Sequence, residues 1–331
     1  MYTPDPFFDV SYFARANFRT DNRLFGIKQA DRMFHFYVFG KSGSGKTTLL
    51  KTLMLQDVKA GRGFCFLDVH GDASREIVQK IGQDFPSTKL IYFDVTDPNI
   101  PFGYNPLRKV SPSKRSLVAS NILEIFQRQW KSAWGMKMEH ILRMVLLTLL
   151  DQPSANFADI LRILHDTDFR KDCIPHISSD DIVVFWEREF PKYKPNDLLP
   201  ILNKLGGFLS HSMVRKVLVE NTQQLSLRKI INESTILVIN LAKGQVGADV
   251  ANILGGLLLT SLSSAVFSRI DIPENDRTPY FLYIDEFQTI SGNELISELL
   301  AQVRKFRLGL SLPTSSSPNC TPMSVPVSLG T

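Results

Sequence analysis

Eight consecutive residues, Gly40 to Thr47, read Gly-Lys-Ser-Gly-Ser-Gly-Lys-Thr, a set suited to cradling phosphate. Gly40, Gly43 and Gly45 let the backbone turn tightly enough for its N–H groups to converge on phosphate oxygens. A helix that starts where the loop ends adds its positive pole to the field on the β-phosphate. Lys46 would reach the β- and γ-phosphates, and the Thr47 hydroxyl would hold Mg²⁺. Gly40, Lys41, Ser42, Gly43, Ser44, Gly45, Lys46, Thr47 and Thr48 are therefore the expected binding surface for ATP or GTP. An ordinary glycine-rich turn shares the composition. The context separates the two, because an apolar run precedes this loop and helical spacing follows it.

A second chemical signal lies far along the chain. Tyr280 to Glu286 reads Tyr-Phe-Leu-Tyr-Ile-Asp-Glu, an apolar run ending in two carboxylates. Beside a phosphate loop, Asp285 would hold the Mg²⁺ water shell and Glu286 would orient and deprotonate the attacking water. Adjacent acids at a strand end also begin ordinary loops, and the phosphate loop is what favours catalysis here. Asp68, His70, Gly71 and Asp72 follow another apolar run and are expected near the same crevice. Nucleotide sensing and plain turn capping suit them equally. Arg304 and Lys305 end the helix after the acidic pair. They fit either an arginine finger directed at a neighbouring subunit's γ-phosphate or favourable charge at a helix C-terminus.

The elements that must position these groups follow from periodicity. Short apolar runs at His35 to Phe39, Phe64 to Leu67, Leu90 to Phe93, Thr235 to Leu241 and Tyr280 to Ile284 predict strands. Helical spacing is predicted over Lys46 to Lys59, Asp249 to about Arg269, and Asn293 to Arg304. Strands this apolar, alternating with helices, imply an α/β core whose mostly parallel sheet is covered on both faces. Between Ser111 and Arg228 the pattern turns wholly helical: Ser116 to Trp130, Met138 to Leu150, Phe157 to Leu164, Asp181 to Phe190, Leu198 to Leu209, and Met213 to Leu218. The expected organisation is an N-terminal extension over 1–34 and core over 35–110. An all-α insertion over 111–228, core again over 229–311, and a Ser/Pro-rich tail over 312–331 complete it.

Composition sets broad limits. Of 331 residues, 44% are hydrophobic and 21% charged, which suits a globular protein with a sizeable core. Lys and Arg total 38 against 33 acids, giving +5, a mild excess compatible with nucleic acid or with a solvated basic surface. Cys65, Cys173 and Cys320 lie far apart, as in a reduced, cytoplasmic protein. Cys173 and His176 share a C-x-x-H spacing, but no second pair completes a metal site. No signal peptide is visible from Met1 to Arg15. Ala251 to Phe267 is interrupted by Gly255, Gly256 and serines, and is expected to be a buried helix rather than a membrane span.

In order along the chain, RLFGIKQADR, GKSGSGKTTLL, LQDVKAGRGFCFLDVHGD, FGYNPL, WKSAWGMKMEHILR, FWEREF, PILNKLGGFLS, ILVINLAKG and FLYIDEFQ resemble the conjugative coupling proteins of type IV secretion. They also resemble the related HerA/FtsK ring translocases. The likeness spans about Phe13 to Ser311. It implies a P-loop NTPase of RecA/HerA-FtsK-like fold, a homo-hexamer that hydrolyses ATP with Mg²⁺ and pumps DNA through a central channel. Lys46 and Thr47 would be Walker A residues, Asp285 and Glu286 the Walker B pair, and Arg304 a finger in trans. Secretion-system proteins are implied partners. Many family members carry N-terminal membrane helices that this sequence lacks, so the expected place is the cytoplasm, peripheral to the inner membrane. The family continues with strand and a sensor glutamine where this chain reads PTSSSPNCTPMSVPVSLGT, as a truncated or frameshifted end would. Two other readings stay open, a nucleotide-gated adaptor that binds protein partners without pumping and an inactive truncated product.

Overall fold

Strands built only from apolar residues need cover on both sides. The computed structural model, which describes residues 10–17, 22–82, 85–108, 110–290 and 299–315, shows how this chain supplies it. Its strands are β1 (Val10–Arg15), β2 (Leu24–Lys28), β3 (Phe36–Gly40), β4 (Phe64–Asp68), β5 (Leu90–Asp94), β6 (Ile236–Asn240), β7 (Tyr280–Ile284) and β8 (Leu308–Ser315). The last six form one parallel sheet in the order β3-β8-β7-β4-β6-β5. This is the α/β architecture expected of a P-loop core.

Strand alternation divides the sheet's side chains between two layers. Phe64, Phe66, Ile236, Val238, Phe281 and Tyr283 face one side. There they meet Leu50, Leu53 and Met54 of the helix Lys46–Lys59, together with Ala73 and Ile77 of the helix Asp72–Ile81. Cys65, Leu67, Leu237, Ile239, Leu282 and Ile284 face the other side and join a larger core. That core includes the helix Ala248–Phe267 and most of the helical block. Every residue of β4, β6 and β7 is buried. Burying each such Leu, Ile or Phe contributes about 1.5–3 kcal/mol relative to exposure.

The helical block lies between β5 and β6. Its helix Arg115–Gln129 buries Ala119, Ile122, Leu123, Ile125 and Phe126. The helix Met136–Asp151 buries Met138, Ile141, Leu142, Val145, Leu146 and Leu149. Both stripes recur at three and four residues, the period of one helix face. The block shares a continuous hydrophobic core with the sheet. A Cβ on Gly256 would touch Ile125 at 3.3 Å, and the Tyr104 hydroxyl donates to the Leu257 carbonyl at 2.7 Å. Among the described residues one helix, 248–271, is long and apolar enough to cross a membrane, and 67% of its apolar window is buried inside the fold.

The two ends depart from expectation. Within the N-terminal extension, Val10–Arg15 and Leu24–Lys28 form the antiparallel hairpin β1–β2, followed by the short helix α1 (Gln29–Arg32). Three of the extension's polar side chains, Ser11, Gln29 and Arg32, are buried, which hides any hydrophobic rhythm. At the other end the boundary drawn at 312 falls inside β8. Leu312, Pro313, Thr314 and Ser315 pair in register with Tyr37, Val38, Phe39 and Gly40 of β3. Proline is tolerated there because β7 flanks β8 only as far as Ser311. The tail from 316, the start of the chain and the first part of the helix predicted over Asn293 to Arg304 lie outside the described residues.

Candidate nucleotide site

With α1 already assigned to Gln29–Arg32, α2 is the helix Lys46–Lys59 and α3 the helix Asp72–Ile81. The loop between β3 and α2 turns through Gly43 at φ 75° and Gly45 at φ 90°, a left-handed backbone that other residues adopt only with strain. Lys46 opens α2. Its ammonium donates to the carbonyls of Gly40 at 2.9 Å and Lys41 at 3.0 Å, so it lies across the loop that it is expected to serve. Lys41, Ser42, Gly43, Ser44, Gly45 and Thr48 are exposed, while Lys46 and Thr47 are half-buried.

β7 lies two strands in from β3, and its end brings the acidic pair to the loop. The Thr47 hydroxyl donates to Asp285 Oδ2 at 3.2 Å. Burial, with Asp68 and Glu286 as neighbouring acids, holds the Asp285 carboxyl above its usual range, while the Thr47 hydroxyl pulls the other way. A hydroxyl and a desolvated carboxylate crowded by other acids form a hard-oxygen set that fits Mg²⁺. Glu286 sits at φ 54°, a left-handed conformation that is sparse for a non-glycine residue and that clusters at functional sites.

Of the residues at and beyond the end of β4, Asp68 and Gly71 take the capping role. Asp68 is buried and caps α3, accepting from the Ser74 N–H at 2.7 Å and the His70 N–H at 3.1 Å. Gly71 at φ 97° is the N-cap of that helix, and Asp72 begins it. His70 points back to the acidic pair, with Nε2 3.9 Å from Glu286 Oε2.

Arg304 stands apart. It belongs to the turn Val303–Phe306 before β8, and its guanidinium stacks 3.4 Å above the Phe34 ring just before β3. Both lie at the amino edge of a parallel sheet, whereas the phosphate loop follows the carboxyl end of β3. A five-residue strand separates those edges by about 16 Å. Arg304 is therefore not part of its own chain's loop site. Cys173 is buried, burial being the first cause that pushes its thiol up to about 11.

No protein-family model and no curated protein matches the sequence. Solved structures do. The plasmid coupling protein TrwB in complex with a non-hydrolysable ATP analogue superposes at TM-score 0.60 and 18% identity, over 86% of this chain and 65% of that one. TrwB in complex with ADP and Mg²⁺ gives 0.60 and 18%, over 88% and 66%. VirB4 of Thermoanaerobacter pseudethanolicus gives 0.56 and 16%, over 92% and 76%. The chain shares its fold with TrwB and VirB4. This chain spans about two thirds of the length of those TrwB structures.

Within this fold, the carboxyl edge of the sheet holds further groups that the motifs do not include. Asn240 ends β6 fully buried and donates to Asp94 Oδ2 at 2.9 Å and to the Tyr92 hydroxyl at 3.2 Å. Its side-chain Oδ1 accepts from the Ala242 N–H at 2.9 Å. A polar residue closing an all-apolar strand is the signal that marked Asp68 and Asp285, and it was present at Asn240 as well.

Proposed function

We propose that this chain is an Mg²⁺-dependent ATP-hydrolysing motor of the conjugative coupling type that acts on DNA. The observation that carries the proposal is the Thr47–Asp285 contact at the mouth of the loop, because it unites the two motifs a P-loop NTPase needs. The loop's N–H groups and Lys46 would hold the phosphates, and Thr47 and Asp285 would hold Mg²⁺. The ion would neutralise charge on the β- and γ-phosphate oxygens. Glu286, held in its unusual turn beside His70, would orient and deprotonate water. Arg304 would serve a neighbouring copy in a homo-hexamer, in keeping with its position far from its own loop. Likeness in fold to coupling proteins and the +5 charge support DNA as the cargo, with secretion-system proteins as partners and a place in the cytoplasm beside the inner membrane.

ATP hydrolysis by wild type, Lys46→Ala and Glu286→Gln, with and without DNA, tests this. Hydrolysis stimulated by DNA and weakened steeply by salt is expected. Calorimetry with Mg²⁺ and adenine nucleotides that detects no uptake would sink the proposal. Uptake with no DNA effect would move the function to a nucleotide-gated adaptor.

A further inference from the structure

Arg32, the last residue of α1, is 2% exposed and lies among charged and aromatic partners. Its guanidinium grips Asp57 of α2 with both prongs, Nη1 to Oδ1 at 2.7 Å and Nη2 to Oδ2 at 2.8 Å. Nη2 also donates to the Tyr283 hydroxyl, and that hydroxyl donates to Asp57 Oδ2 at 2.5 Å. Arg62 Nε adds a further bond to Asp57 Oδ1 at 2.7 Å. The Arg32 guanidinium carbon lies 3.7 Å from the Phe281 ring centre, and Nη1 also reaches Gln29 and Ser11.

Stability alone is a poor reason for this arrangement. A buried ion pair roughly breaks even against apolar side chains of the same volume, so what it adds is geometry. The geometry it sets joins the two halves of the nucleotide site. Asp57 belongs to the helix that begins with Lys46 and Thr47, and Tyr283 precedes Asp285 by two residues. Residues two apart along a strand share a face. α2 is thus tied to the end of β7 twice, through Thr47 to Asp285 and, ten residues or about 15 Å of helix later, through Asp57 to Tyr283. Leu50, Leu53 and Met54 hold the helix on the sheet by non-directional apolar packing, and the two polar ties add a defined rotation and offset. Mg²⁺ demands near-ideal octahedral geometry at about 2.0–2.1 Å, so a small slide of the helix would spoil a shared ion.

We propose that Arg32, Asp57 and Tyr283 form a positioning cluster that sets the spacing between the Thr47 hydroxyl and the Asp285 carboxylate for a divalent cation. The proposal rests on the nucleotide reading above and names residues outside both motifs. None of the three touches substrate; they act through α2 and β7.

Mg²⁺ titrations of ATP hydrolysis by the full chain test it, using Tyr283→Phe, Arg32→Lys and a control, Tyr280→Phe. Tyr283→Phe keeps the ring that packs edge-on against Phe64 at 5.6 Å, so its fold should survive. Tyr280 is equally buried on the same strand but faces the opposite layer, where its hydroxyl donates to the Thr235 carbonyl at 3.0 Å. Tyr283→Phe and Arg32→Lys should need about tenfold more Mg²⁺ for half-maximal hydrolysis, the usual scale for residues that orient metal ligands. ATP binding measured in EDTA should stay unchanged. Tyr280→Phe should lower the melting temperature and leave the Mg²⁺ requirement alone. An unaltered Mg²⁺ requirement in Tyr283→Phe, or an equal shift in Tyr280→Phe, overturns the cluster's role. A wild type that takes up no nucleotide overturns the functional reading itself, a separate and recognisable outcome.

Discussion

Glu286 Oε2 lies 3.9 Å from His70 Nε2, across the carboxyl edge from β7 to β4. Glu286 makes this contact from a left-handed backbone conformation, φ 54°. Removing the charge while keeping the shape should separate binding from chemistry. Glu286→Gln should bind nucleotide as wild type does and lose hydrolysis by on the order of a hundredfold or more, the usual contribution of a general base. Single-turnover kinetics beside fluorescent-nucleotide binding measures both.

Asp285→Asn should make the ligand-free protein more stable. The folded state raises this carboxyl's pKa, so ionisation is harder in the fold than in the unfolded chain. Stability linked to this group is present below the unfolded value and lost as pH rises through the folded one. At neutral pH the ionised acid is a burden that asparagine removes. The melting temperature should rise by roughly 1–3 °C at pH 7 and the gain should vanish near pH 4, while Mg²⁺-dependent hydrolysis is lost. Calorimetry at the two pH values measures it.

His35 should make stability fall in mild acid. Its Nε2 bonds the Leu300 carbonyl at 3.1 Å and its Nδ1 accepts the Leu310 N–H at 3.2 Å, an arrangement open only to the neutral ring. Burial is the main cause that lowers its pKa below 6.5, and the positive charge of Arg304 adds to it. The unfolded chain then binds the proton more readily. Stability should decline as pH drops below about 6.5, by at most about 1.4 kcal/mol per pH unit from this group. Urea unfolding of wild type and His35→Gln between pH 7 and 5.5 should show a steeper decline in wild type.

Arg304→Ala tests a role between subunits. The stack on Phe34 is exposed on both sides and is worth about 0.5–1 kcal/mol, so folding should hardly change. ATPase activity should collapse only in an assembled ring. Mixing Arg304→Ala with Lys46→Ala should restore some activity, since each supplies what its neighbour lacks. Activity of Arg304→Ala equal to wild type at every protein concentration would leave the residue as helix-end charge.

The chain's own text determined the loop, the acidic strand end and the alternation of apolar strands with helices. Each of these is local: Gly43 and Gly45 are needed where φ is positive, and Tyr280 to Ile284 must be buried wherever it lies. Only the tertiary structure decided that Thr47 meets Asp285 across 238 residues, that Arg304 lies at the opposite sheet edge from its own loop, and that Leu308–Ser315 runs between β3 and β7. Arg32 shows why such facts stay hidden. In one dimension it is a charged residue in a polar stretch, and its partners Asp57 and Tyr283 come 25 and 251 positions later. Sequence spacing carries information only across a few turns or strand repeats, whereas this ion pair and its hydroxyl depend on the order in which parallel strands assemble.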